Sequence, residues 1–180
     1  MGDINVYTGP MKCGKSNKII EEAKRQIIAG KKIKIFKPEI DTRFADNYIM
    51  DRNGNKLESV NINNIEDIQN YDADVYVIDE FQFLKGSVEC INKMAEHGKK
   101  FFIAGLNLTS ECKPFGKMGD LLCVSDHVQT MTSIGEICKR DNATLSYYKA
   151  GSKQGDIKIG DLEYIPVCRN CYNELKSKNK

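Results

Sequence analysis

Residues Gly9-Pro10-Met11-Lys12-Cys13-Gly14-Lys15-Ser16 spell G-x-x-x-x-G-K-S, the pattern of a phosphate-binding loop. Such a loop works only between a buried strand and the start of a helix, because its backbone N–H groups and the helix N-terminus together cradle phosphate oxygens. The flanks meet that demand. Ile4-Asn5-Val6-Tyr7-Thr8 is strand-like, and from Asn17 to Ala29 the residues Ile19, Ile20, Ala23, Ile27 and Ile28 recur at helical spacing. Two glycines, a lysine and a Ser or Thr at these offsets arise by chance in ~1% of chains this long, and the flanks make chance a poorer account still. Lys15 is expected to reach the β- and γ-phosphates of a bound nucleotide, and the Ser16 hydroxyl to hold Mg²⁺.

A second signal is Val75-Tyr76-Val77-Ile78-Asp79-Glu80. Continuous apolar character suits a central parallel strand buried on both faces, and carboxylates at its end lie on the ligand edge of an α/β sheet. Asp-Glu after a strand is also a common solvated turn; beside a phosphate loop the functional reading is preferred. Asp79 then supports the Mg²⁺ site, and Glu80 is placed to take a proton from an attacking hydroxyl.

Around these signals strands and helices alternate. Lys32–Phe36 reads as a strand ending at Lys37-Pro38, Ile65–Asn70 as a short helix, Val88–His97 as a longer one stopped by Gly98, and Lys100–Ala104 as a buried strand opening into Gly105-Leu106-Asn107. The alternation predicts an α/β fold with a mainly parallel sheet flanked by helices. At 180 residues, 41% apolar and 29% charged, the chain suits one good-sized globular domain with a small appendage. Its net charge of +2 is too small to argue for nucleic-acid binding. No secretory signal precedes the first strand, no apolar run is long enough to span a membrane, and the seven cysteines are odd in number and scattered. Reduced thiols and a cytoplasmic location are expected.

Beyond Asp126 helical signals fade. Cys138 is followed by a polar stretch of thirty-odd residues that reads as a long excursion without a core, then by Cys168-Arg169-Asn170-Cys171. A C-x-x-C is the usual half of a zinc knuckle; two ordinary buried thiols would give the same spacing. The chain therefore divides into an α/β domain over 1–126, a small lobe over 127–174 and a Lys-rich solvated tail over 175–180.

Taken together these segments resemble the thymidine kinases of the small, cytosolic, zinc-containing type. The matching pieces are Gly9-Pro10-Met11 through Ser16, Phe36-Lys37-Pro38 with Asp41-Thr42-Arg43, Asp79-Glu80-Phe81-Gln82-Phe83, Gly105-Leu106, Lys113-Pro114-Phe115-Gly116, and Tyr164 with Cys168 and Cys171. They run over essentially the full chain. The resemblance implies a P-loop kinase domain with a zinc-ribbon-like C-terminal lobe carrying a lasso loop. It implies phosphorylation of thymidine, or a related pyrimidine deoxynucleoside, at the 5′-hydroxyl by ATP to give dTMP, in a homotetramer. By that likeness ATP and Mg²⁺ sit on Gly9 to Ser16 with Asp79, and Asp41, Arg43 and Gln82 fall in the nucleotide site. Glu80 is the base, with Lys15 and Arg43 stabilising charge on the transferred group. Met11, Phe83, Leu106 and Phe115 match the walls of the base pocket, Tyr164 a tyrosine packed on the nucleoside, and Ser146 a hydroxyl near the base. Ile157, Ile159 and Gly160 match the lasso whose backbone reads the base edge.

Several positions depart from the family pattern. Asn107 stands for the usual Asp, Ser110 for an aromatic, Tyr148 for an arginine, and Gly135 for the first of four zinc cysteines. That leaves Cys138, Cys168 and Cys171 for a metal that wants four ligands, so either water, Glu136 or another side chain is expected to complete the shell, or zinc to bind weakly or not at all. Two other readings stand beside the kinase: a paralogue that binds nucleotide as a regulator or serves a different pyrimidine nucleoside, and, less favoured, a zinc-ribbon nucleic-acid binder.

Overall fold

Strands that are apolar at successive positions, as Val75–Ile78 is, require cover on both sheet faces, and that is the architecture found. The computed structural model describes residues 2–41, 47–50, 53–149 and 163–178. In chain order the main elements are β1 (Asp3–Thr8), α1 (Lys15–Ile28), β2 (Ile33–Pro38), β3 (Tyr48–Met50), β4 (Lys56–Glu58), β5 (Val60–Ile62), β6 (Val75–Ile78), α2 (Glu89–Glu96), β7 (Lys100–Gly105), α3 (Met118–Val124) and β8 (His127–Thr130). The central sheet has the order β5-β2-β6-β7-β1-β8, and every pairing in it is parallel. All six carboxyl ends therefore open on one edge, where α/β sheets bind ligands. β3 and β4 pair separately and antiparallel.

The period of two along each strand separates two cores. Ile4 and Val6 of β1, Tyr76 and Ile78 of β6, and Phe101 and Ile103 of β7 face Ile91 of α2, Met118 and Leu121 of α3, and the 3-10 turn at Ile65–Asn70. The intervening residues Tyr7, Val75, Val77, Phe102 and Ala104 face Ile19, Ile20 and Ala23 of α1. The apolar stripe read along α1 is buried only that far. Ile27 and Ile28 are 46% and 86% exposed, so the last turn adds nothing to the core.

Past Asp126 the chain differs from expectation in three ways. β8 joins the main sheet, pairing with β1 from Asn5↔His127 to Thr8↔Thr130. All four of its residues are exposed, so no apolar pattern marked it. The stretch between Cys138 and Cys168 has a core after all. β9 (Ser133–Ile134) pairs with β10 (Asp141–Ala143), and β11 (Leu145–Tyr148) with β12 (Tyr164–Val167). Leu145, Ile165, Val167, Cys168, Cys171 and Tyr172 pack together. Finally, α4 (Arg169–Lys178) is a helix with only Cys171 and Tyr172 buried, too narrow a stripe to show as periodicity. Residues 175–178, read as a solvated tail, are its last, largely exposed turn. No helix among the described residues is long and apolar enough to cross a membrane.

Candidate functional site

The phosphate loop leaves β1 at Thr8 and enters α1 at Lys15, and its two glycines do different work. Gly9 has φ +148°, and a Cβ there would lie 2.3 Å from the Met131 carbonyl oxygen, where the end of β8 crosses and Met131 N–H donates to Thr8 C=O. Gly14 is left-handed at φ +88° and caps α1, the conformation only glycine adopts without cost. Lys15 is 8% exposed. Its ammonium donates to Pro10 C=O at 2.7 Å and Gly9 C=O at 3.3 Å, with the Cys13 Sγ at 3.5 Å. It thus closes the loop on itself, a cation held where phosphates would replace the carbonyls. Ser16 follows in the first turn of α1.

Two strands along the same edge, β6 ends in Asp79 and Glu80, 6% and 8% exposed. Asp79 is anchored by N–H donation to Phe36 C=O on β2, and its Oδ1 accepts the Glu80 N–H at 3.0 Å. Glu80 adopts φ +51°, ψ +40°, a left-handed conformation uncommon for a non-glycine residue and typical of functional positions. The twist turns the chain abruptly into the 3-10 turn Phe81–Phe83. Asp41 is buried beyond β2, and its carbonyl accepts the Lys37 ammonium at 3.2 Å. Lys37 is itself 2% exposed; it was not singled out from the sequence, although a second lysine in an otherwise apolar strand was the available signal. Arg43 lies outside the described residues.

The residues expected to hold a base fall into two groups. Phe83 and Phe115 pack edge to face with ring centroids 5.4 Å apart, and Leu106 is tied to the same spot by its N–H, which donates to Gln82 Oε1 at 2.9 Å. On the other side Ser146, on β11, gives its hydroxyl oxygen to Met11 N–H at 2.9 Å, so this hydroxyl grips the phosphate loop. Tyr164, on β12, lies opposite Tyr148 with ring centroids 5.0 Å apart. Ile157, Ile159 and Gly160 lie outside the described residues. Two residues join the lobe to the loop, Ser133, not picked out from sequence, and Glu136, expected there only as a possible zinc ligand. The Ser133 hydroxyl donates to Lys12 C=O, and Glu136 meets both Lys12, at 3.6 Å, and Lys149, at 2.9 Å. Lys149 foremost, then Lys12, hold the Glu136 carboxyl below the usual carboxylate range.

The three cysteines converge. The sulfurs of Cys138, Cys168 and Cys171 all lie within 4.8 Å of one another, with Cys138 to Cys168 at 3.9 Å. A tetrahedral ion with Zn–S bonds of about 2.3 Å sets its sulfurs about 3.8 Å apart, so the donor set fits zinc. Backbone N–H donation from Cys171 lowers the Cys168 thiol, while the neighbouring Cys168 pushes Cys171 up to about 11. Glu136 is not in the cluster; among the described residues no carboxylate or imidazole joins the three sulfurs. Gly135 faces them, since a Cβ there would lie 2.9 Å from Cys138 Sγ, which is where a fourth thiolate would enter.

Comparison with known proteins follows the same lines. The model of the thymidine kinase family matches residues 2–172. A thymidine kinase of Porphyromonas gingivalis is 34% identical over 98% of this chain and 87% of its own length. One of Mycoplasma mobile is 35% identical over 96% of this chain and 88% of its own, and one of Pseudothermotoga lettingae 30% identical over 99% and 98%.

Proposed function

The chain belongs to the thymidine kinase family, and from that premise we propose that it transfers the γ-phosphoryl group of ATP to the 5′-hydroxyl of thymidine, giving dTMP for nucleotide salvage, with Glu80 as the base. The observation that carries the assignment is the buried, left-handed Glu80 on the sheet edge that also bears the phosphate loop. A carboxylate there accepts the hydroxyl proton as the oxygen attacks phosphorus. Lys15 neutralises phosphate charge in the ground and transition states, and the loop N–H groups fix the phosphates in line. Ser16 and Asp79 would hold Mg²⁺, which when bound supplies further charge neutralisation on the phosphate oxygens. Met11, Phe83, Leu106 and Phe115 would enclose the base, and Tyr164 would close over the nucleoside. No covalent enzyme intermediate is needed.

The small lobe that follows β8 serves this site. Cys138, Cys168 and Cys171 would hold zinc, which ties the turn before β10 to the start of α4. All seven cysteines are free thiols, which supports a reducing compartment, the cytoplasm. Assembly as a homotetramer would cover apolar surface such as Ile27 and Ile28 of α1. The deciding experiment incubates the protein with Mg²⁺-ATP and a panel of nucleosides and looks for 5′-monophosphates, thymidine being the expected best substrate. A purine nucleoside as best substrate would contradict the pocket. ATP binding without any product would make the chain a nucleotide-binding regulator instead.

A further inference from the structure

Gln82 sits between the catalytic carboxylate and the wall of the nucleoside pocket. It is 3% exposed and forms the middle of the 3-10 turn that follows Glu80. Its Nε2 donates to Glu80 Oε2 at 2.5 Å, and its Oε1 accepts the Leu106 N–H at 2.9 Å. The orientation of the amide is dictated by its partners, because a backbone N–H only donates and an ionised carboxylate only accepts. Each end of the amide therefore has a partner within the protein.

Two glycines shape the space around it. Gly116 has φ +52°, and a Cβ there would lie 2.1 Å from the Gln82 carbonyl oxygen. The loop carrying Phe115 thus lies directly on the Gln82 backbone while the Phe115 ring packs on Phe83, the next residue. A Cβ on Gly105 would lie 2.9 Å from Gln82 Oε1 and 2.5 Å from Met118 Sδ, so glycine at the end of β7 is what lets the amide reach the Leu106 N–H.

We propose that Gln82 is a positioning residue for phosphoryl transfer: it fixes the Glu80 carboxylate through Nε2 and locks it through Oε1 to the backbone of the pocket wall at Leu106. Glu80 begins on a left-handed backbone and cannot be held by a regular element. The amide gives it a fixed reference, and the same bond makes the base and the nucleoside wall move as one unit. The proposal rests on Glu80 acting as base.

The test measures turnover and ATP affinity of Gln82→Met, which keeps the length and removes both hydrogen bonds, alone and combined with Glu80→Gln. A misaimed base is expected to cost about tenfold to 10²-fold in kcat, with ATP affinity changed little and no further loss in the Glu80→Gln background. Full turnover by Glu80→Gln alone would remove the base and this proposal together. An impaired Glu80→Gln beside a normal Gln82→Met would remove the positioning role only. Equal losses in both backgrounds would mean that Gln82 acts elsewhere, and would overturn the proposal. Gln82→Glu supplies a second readout if Gln82→Met does not fold. Protonated, the new carboxyl donates to Glu80 as the amide does; ionised, it repels Glu80. Activity should fall with rising pH more steeply than in the wild type, and a wild-type pH profile would overturn the proposal.

Discussion

At the scale of single residues the proposed mechanism depends on two charged side chains held in unusual places. Glu80 combines burial with a left-handed backbone, a conformation that persists only where surrounding structure over-determines it. Glu80→Gln keeps the shape and the hydrogen bond with Gln82 can re-form, so the fold should survive; turnover should drop by roughly 10²-fold or more while ATP still binds. Steady-state rates beside an ATP titration check this. Lys15 is seated on the Pro10 and Gly9 carbonyls, an arrangement that triphosphate oxygens would displace. Lys15→Ala should raise the Kd for ATP as well as lower kcat, since the ammonium acts in both states. Normal phosphorylation by that variant would mean that the loop is not the ATP site.

At the scale of elements the phosphate loop is gripped from the small lobe. Ser146 on β11 accepts Met11 N–H, Ser133 on β9 donates to Lys12 C=O, and Glu136 reaches Lys12. Ser146→Ala should destabilise the protein by about 1 kcal/mol, the worth of one such hydrogen bond, read as a shift of the denaturant midpoint. An unchanged midpoint would show that the loop keeps its shape without the lobe. The knuckle at Gly135 offers a second test at this scale. Its Cβ direction meets Cys138 Sγ at 2.9 Å, so a thiol there enters the cluster once Cys138 shifts slightly to share an ion. Gly135→Cys should raise zinc retention against a chelator and raise Tm, because a fourth thiolate completes the tetrahedron. Elemental analysis and thermal melts decide it.

For the whole molecule, the single parallel sheet collects every strand end on one edge, and the small lobe is placed against that edge by the loop contacts. Exposed Ile27 and Ile28 at the end of α1 leave apolar surface outside the monomer's own cores. Light scattering after size exclusion should give the mass of a homotetramer, and Ile28→Glu should lower it if α1 lies in the interface. A monomeric mass for the unaltered protein would remove the assembly from the account.

The amino-acid sequence by itself determined whatever depends on neighbours along the chain. The strand–loop–helix around Gly9 to Ser16, the apolar run ending in Asp79 and Glu80, and the 3-10 turn at Ile65–Asn70 were legible because glycine placement, helical spacing and continuous apolar runs are local. The elements it concealed have weak local patterns: the exposed strand β8, and α4 with one buried turn. Only the tertiary structure decided what meets across distance. It put Gln82 between Glu80 and a backbone amide 24 residues on, Ser146 against a loop 135 residues away, and Cys138 beside Cys168 across 30 residues. No local signal carries such contacts. They follow from the order of strands in the sheet and from where the second lobe docks, which buried packing sets.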